Sequence, residues 1–300
     1  MYEQIAANKR KSVLLILGSI LVLGALGFGI GYLWIDPLVG LAVAVTIALI
    51  QAGIALGAGD RIVLAAARAR EVSPEDEPRL HNIVEGLSIA AGIPKPRVWV
   101  IPERAPNAFA TGRSPERAHV AVTRGLLETM NRVELEGVMA HELSHILDRD
   151  ILVGTIVVTI VGAIVLVSEF FLRAFWWGGF RGRRGDDRGG GAEGAFAILG
   201  IALLVLSPLI AQVIRFAVSR EREYLADAQG ALLTRYPPGL AAALRKMAAS
   251  TTPMRSANNA TAHLWLSQPS RFEGERTGRL ERLFSTHPPI QDRIRRLEEM

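Results

Sequence analysis

Asn131-Arg132-Val133-Glu134-Leu135-Glu136-Gly137-Val138-Met139-Ala140-His141-Glu142-Leu143-Ser144-His145 is the stretch on which the reading of this chain turns. Asn131 with Glu134 three residues on has the form of a capping box, with Asn in place of the usual Ser or Thr, so a helix is predicted from about Asn131. On that helix His141 and His145 stand at i and i+4, share a face, and can reach one metal ion. Glu142 sits beside the first His, where a carboxylate can take a proton from water activated at such an ion. The pattern points to metal-dependent hydrolysis. It is incomplete, because a catalytic site of this kind needs a third protein ligand and keeps one position open.

The third ligand must come from elsewhere. His81, His119, His263 and His287 are candidates, as is any carboxylate on a helix facing the first. The run Ser219-Arg220-Glu221-Arg222-Glu223-Tyr224-Leu225-Ala226-Asp227 places Glu223 and Asp227 at i and i+4. One could bind metal while the other orients a ligand, but a solvated charged helix face would read the same way.

Around this helix the chain is unusually apolar. Half of its 300 residues are hydrophobic, and the mean hydropathy is +0.26. Four uncharged stretches stand out: Val13–Ile35, Leu38–Ala58, Ile151–Ser168 and Ala195–Ile214. The first two have the length and spacing of a transmembrane hairpin turning at Asp36-Pro37. Gly27…Gly31 and Gly53…Gly57 give each helix a small-xxx-small spacing through which the two are expected to approach. The later pair either spans the membrane or forms a hairpin that dips into it or lies on the protein, with the Arg- and Gly-rich segment 173–193 between. Lys9-Arg10-Lys11 predicts a cytoplasmic N-terminus, and Arg61, Arg68 and Arg70 follow the second stretch on the same side.

The absence of cysteine removes disulfides, thiolate metal sites and Cys nucleophiles. The net charge of +5 comes from Arg and Lys flanking the apolar stretches, where they meet anionic lipid head groups rather than nucleic acid. No aromatic-interleaved basic stripe, Walker motif or Gly-x-Ser-x-Gly elbow occurs, so nucleic acid, nucleotide and a serine nucleophile are not expected.

Between the first hairpin and the His helix, Ser73-Pro74 reads as a helix start, with Leu80, Ile83, Val84 and Leu87 on one face and a stop at Gly92. Arg97–Ile101, Asn107–Thr111 and Ala118–Thr123 read as strands, the last two joined by a turn around Gly112–Glu116. Ile290–Met300 is an amphipathic helix burying Ile290, Ile294 and Leu297. The fold class is α+β and mostly helical, with a small β-sheet.

The chain resembles the HtpX-type integral-membrane zinc metalloproteases, gluzincins related to the zinc-dependent CAAX prenyl proteases. The resemblance rests on His141-Glu142-Leu143-Ser144-His145, then Glu223 within Ser219–Asp227, with Asn107-Ala108-Phe109-Ala110-Thr111-Gly112 before them. Ser285-Thr286-His287-Pro288-Pro289 and Arg293-Ile294-Arg295-Arg296-Leu297 follow, and the layout of apolar segments agrees. Asp148 departs from the Asn that such proteins often carry there.

The resemblance implies a zincin-like domain over 61–300, interrupted by the hydrophobic hairpin at about 151–216 and anchored by the transmembrane hairpin 1–60. It implies one zinc per chain held by His141, His145 and Glu223, with Glu142 as general base and Asp227 orienting a ligand. His287 would steady the oxyanion, or else fix a Pro-rich turn. Asn107, Ala108, Phe109, Ala110 and Thr111 form the candidate edge for an extended substrate. The expected enzyme is a multi-pass cell-membrane endopeptidase with a cytoplasmic catalytic domain, working on unfolded or misfolded membrane-protein segments. A CAAX-type prenyl-protein endopeptidase is one alternative, although four apolar segments are few for the membrane chamber such enzymes have. A non-catalytic, zinc-stabilised membrane scaffold is another; it would close the site with His263 or His287 and has no use for Glu142. His81 and His119 read as core or surface residues, and His263, Asp148 and Asp150 have no role that the sequence explains.

Overall fold

A computed structural model describes residues 2–34, 36–162, 219–254, 261–267 and 288–300. The fourth apolar stretch, the 173–193 segment and His287 lie outside these residues.

The chain begins with two long antiparallel helices, α1 (Tyr2–Trp34) and α2 (Pro37–Ala66). The Asp36 carboxylate accepts from the Leu38 and Val39 amides, and Pro37 occupies the first helical position, where its missing N–H costs nothing. Both helices are long and apolar enough to cross a bilayer, and only 17% and 11% of their most apolar windows are buried by protein. Core helices would be mostly covered. Here Leu21, Tyr32 and Leu38 face outward, a surface that water would penalise and lipid accepts.

The two helices meet through glycine, as expected, but through different partners. A Cβ on Gly40 would fall 2.2 Å from the Gly27 carbonyl oxygen, and one on Gly31 would meet the Gly40 Cα at 3.0 Å. Among the described residues, Gly53 and Gly57 have no neighbour within 4 Å of such an atom. The tight turn at 36 sets Gly27 and Gly31 opposite residues early in α2, so the second expected motif lies too far down the hairpin to take part.

A four-stranded mixed sheet follows: β1 (Arg70–Glu71), β2 (Arg97–Ile101), β3 (Ala108–Gly112) and β4 (Ala118–Thr123), in the order β1-β2-β4-β3. β2 and β4 are parallel, with Val98 opposite Val120, and β3 runs antiparallel to β4, with Ala108 opposite Val122. β3 is an edge strand and begins one residue later than expected. Asn107 lies just before it, its backbone N–H donating to the Thr123 hydroxyl. β1, two residues long, shows no periodicity from which it could have been read.

β3 and β4 are buried on both faces, and the period-2 alternation sorts the residues of β2, β3 and β4 between two cores. Val98, Val100, Ala108, Ala110, Val120 and Val122 face one core. That core is completed by α3 (Pro78–Ala91), α5 (Arg132–Leu147), α8 (Pro237–Ala249) and α9 (Ile290–Glu298). Ile101, Phe109 and Ala121 face the other, with Val63 of α2 and Val153, Ile156 and Val157 of α6 (Asp150–Gly162). The described part of the third apolar stretch is therefore an interior helix of the molecule.

α3 starts at Pro78 rather than Pro74. A helix from Pro74 would need an N–H at residue 78 for its first-turn bond, and proline has none. Ser73 and Asp76 instead close a turn by exchanging hydrogen bonds. Gly92 ends the helix in the left-handed region, as expected. A short α4 (Arg124–Thr129), capped by Thr123, links β4 to α5, and α7 (Arg220–Thr234) packs against α5.

Candidate metal centre

The centre is built on α5. Both arms of its capping box are made: the Asn131 side chain accepts from the Glu134 N–H at 2.9 Å, and Glu134 accepts from the Asn131 N–H at 2.8 Å. Lys246 of α8 adds an ion pair to Glu134 at 2.6 Å. α7 lies close because residue 230 is glycine. A Cβ there would sit 3.0 Å from the His141 backbone nitrogen, so any larger residue must push the two helices apart.

This approach brings Glu223 to the two histidines. The Nε2 atoms of His141 and His145 are 3.1 Å apart. Glu223 places Oε1 3.7 Å from the His145 Nε2 and Oε2 3.9 Å from the His141 Nε2. The ligand atoms of these three residues all lie within 4.8 Å of one another, forming a group able to hold one metal ion. No other such group occurs among the described residues. His81 bonds the Val72 carbonyl, and His119 lies between the Trp99 indole and Asp60, so neither joins it. His263 lines the same cleft outside the three-ligand group.

Each histidine is oriented from behind by a carboxylate. The His141 Nδ1 is 2.9 Å from Asp227, and the His145 Nδ1 is 3.0 Å from Asp150. Carboxylate acceptors at both Nδ1 atoms fix the proton there and leave the Nε2 lone pairs converging, the tautomer that metal ligation needs. Each carboxylate is in turn held by arginine. Arg293 of α9 grips Asp227 through Nε at 2.8 Å and Nη2 at 2.7 Å, and Arg222 of α7 reaches Asp150 at 2.6 Å.

Asp227 was expected in this role. Asp150 was not, because it lies beyond the end of α5. The helix stops at Leu147, Arg149 takes a left-handed conformation with φ 58°, and the chain turns back to start α6 beside His145. Arg293 lay within a recognisable C-terminal motif, but nothing local linked it to Asp227. Asp148 accepts from Gln229 of α7 and so ties the end of α5 to that helix.

The electrostatics suit a cation. Four carboxylates, Glu142, Glu223, Asp150 and Asp227, gather around two imidazoles, and two guanidinium groups offset two of them. With both imidazoles neutral and all four carboxylates ionised, the state a bound cation would favour, the remaining negative charge would match a divalent ion. Burial drives His141 down to about 4, with Arg293 adding to the effect against Asp227. Burial acts the same way on His145, but Asp150, Glu223 and Glu142 overcome it and push that imidazole up to about 9. Burial also pushes the Glu142 carboxyl up to about 7, near the value that suits a general base at neutral pH. The Ala110 backbone N–H offsets a small part of that rise, and Ala110 and Glu142 line one cleft with His145, Glu223, His263 and Leu264.

The candidate substrate edge, β3, borders this cleft but is partly covered. The segment Thr261–Ser267 runs along it: the Leu266 N–H donates to the Ala108 carbonyl at 2.9 Å. The Asn107 side chain accepts from the Ser267 N–H and donates to its carbonyl, and Trp265 packs edge-on against Phe109. At the far end Thr155 of α6 bonds both backbone groups of Gly112.

A family model described as Peptidase family M48 matches residues 74–300. A "Protease HtpX homolog" from Thermoanaerobacter pseudethanolicus is 46% identical over 300 residues, covering 100% of this chain and 98% of that one. Another from Lactobacillus acidophilus is 44% identical over 303 residues, with both chains fully covered. Among solved structures, Ste24p from S. mikatae superimposes with a TM-score of 0.51 at 18% identity, covering 99% of this chain and 67% of that one. At that identity the likeness speaks for the fold, and it agrees with an α+β, zincin-like arrangement.

Proposed function

The chain belongs to peptidase family M48 and is a membrane-anchored metalloprotease; on that premise we propose that it is a zinc endopeptidase whose ion is held by His141, His145 and Glu223. The observation that carries this reading is the convergence of those three side chains beside Glu142. Two imidazoles and one carboxylate are a ligand set that zinc takes in hydrolases. Zinc bound there supplies a Lewis acid that activates water and polarises a peptide carbonyl. Glu142 is the general base, accepting a proton and passing it to the leaving amine. Asp227 and Asp150 keep the imidazoles in the ligating tautomer, and His287 is assigned to the oxyanion.

The substrate is an extended polypeptide laid along Asn107–Thr111, read mainly through its backbone. Because Leu266 already occupies the Ala108 carbonyl, pairing beyond Ala110 requires the 261–267 segment to yield. Backbone reading with few side-chain pockets suits unfolded or misfolded membrane-protein segments. The hairpin 1–60 anchors the enzyme and residues 61–300 form the protease domain, cytoplasmic by the basic residues at 9–11. Cys introduced at Phe180 and Gly190 would be labelled from outside intact cells in a four-span layout and protected in a non-spanning hairpin.

Metal analysis joined to cleavage of an unfolded membrane-protein segment tests the assignment. Wild type should carry about one zinc per chain and cleave. Glu223→Ala should lose both. A Glu223→Ala protein that keeps its zinc would remove Glu223 from the ligand set.

A further inference from the structure

We propose that Asn8, near the start of the anchoring helix α1, is a positioning residue of the metal centre, so that His145 is held in place only while α1 is docked. The proposal rests on His145 being a metal ligand, as above. Asn8 is 2% exposed and lies 142 residues from the carboxylate it touches. Its side-chain amide donates to the Asp148 carbonyl at 2.8 Å and to the Asp150 Oδ1, while its oxygen accepts from Arg222 at 3.0 Å. Arg222 also donates to the Asp150 Oδ1, at 2.6 Å, and the other Asp150 oxygen takes the His145 Nδ1–H at 3.0 Å.

One amide thus ties three groups together: the backbone that ends α5, the carboxylate behind His145, and the arginine that neutralises it. With Asn8 and Arg222 both on Oδ1, the carboxylate has one orientation, and it points Oδ2 at the imidazole. Without Asn8, Asp150 can rotate to meet Arg222 with both oxygens and leave His145 unoriented. An amide is suited here because it offers a donor to Asp150 and an acceptor to Arg222 at once. All three proposed ligands fall within residues 74–300, which match the family model, whereas this contact comes from outside that range. The anchor would then do more than tether: a shift of α1 in the membrane would reach the metal through two hydrogen bonds.

The test uses the full-length protein in detergent, loaded with cobalt(II), and compares Asn8→Ala and Asn8→Asp with Ser12→Ala. Ser12 is buried one turn further along α1 and, among the described residues, its hydroxyl donates to the Asn8 backbone carbonyl. Asn8→Ala should weaken metal affinity about tenfold by chelator competition, alter the cobalt absorption bands and lower kcat with KM retained. Asn8→Asp keeps the shape and the acceptor for Arg222 but sets a second carboxylate against Asp150, so it should lose more. Ser12→Ala should behave as wild type. Wild-type affinity and cobalt spectrum in both Asn8 variants, or an equal loss in Ser12→Ala, would overturn the proposal. Glu223→Ala run in parallel separates the two layers: metal loss there with intact Asn8 variants condemns only the role of Asn8, whereas metal retention there condemns the centre and this role with it.

Discussion

The two histidine arms of the centre are alike in chemistry and opposite in where they are anchored. His141 is fully buried, and its carboxylate, Asp227, is clamped by Arg293 from the C-terminal helix inside the main core. The His145 side chain is 16% exposed, and its carboxylate, Asp150, is held by Arg222 and by Asn8 of the membrane hairpin. Burial dominates the first imidazole and lowers its pKa; surrounding carboxylates dominate the second and raise it. Two histidines one helical turn apart thus answer to different parts of the molecule. The His141 arm is bound up with folding, and the His145 arm with the anchor.

If so, breaking the arms should produce different failures. Arg293→Ala should be the most damaging change, because it leaves Asp227 buried without its partner and frees the Leu266 carbonyl. The expected loss is about 3–5 kcal/mol by chemical denaturation, together with the metal. Asp150→Ala should instead leave folding nearly intact and weaken metal binding about 10–100-fold, read by chelator competition. Equal stability losses in the two variants would erase the contrast between the arms.

Glu142→Gln bears on the shared centre of the two arms. The Glu142 carboxyl is raised from 4.5 to about 7 by burial, so its charged form is penalised in the fold. That penalty is absent below the unfolded pKa, grows as pH rises, and is complete above about 7. Metal-stripped Glu142→Gln should therefore exceed wild type in stability at pH 8, by up to about 3 kcal/mol, and lose the advantage near pH 4. A pH-independent difference in melting temperature would contradict this. Gly230→Ala probes the spacing on which both arms depend. Its Cβ would press on the His141 backbone, at a cost of about 1–3 kcal/mol, with weaker metal binding as α7 moves off. Unchanged metal affinity there would mean the helices tolerate the shift.

The sequence exposed one arm far better than the other. The α5 helix, its capping box and the facing Glu223/Asp227 pair are local patterns, and they survive in the fold as read. Leu80, Ile83, Val84 and Leu87 likewise share a buried face because helical periodicity is a local property. Asp150 and Asn8 escaped because their meaning arises only when Arg149 reverses the chain and α1 docks against it. The glycine contact between α1 and α2 was legible in kind but not in partner, since which residues meet depends on the hairpin's register. The late start of α3 was legible in principle, because Pro78 forbids the earlier one. His263 had no local pattern to explain it, and the cleft beside Glu142 now gives it a place.

His141, His145 and Glu223 are proposed to hold a catalytic metal that Glu142 serves without binding it. Zinc content and peptide-bond cleavage measured together on Glu142→Gln test this most directly. The expected result is wild-type zinc content with cleavage reduced by about a hundredfold or more. Cleavage at the wild-type rate, or loss of the zinc with the carboxylate, would contradict it.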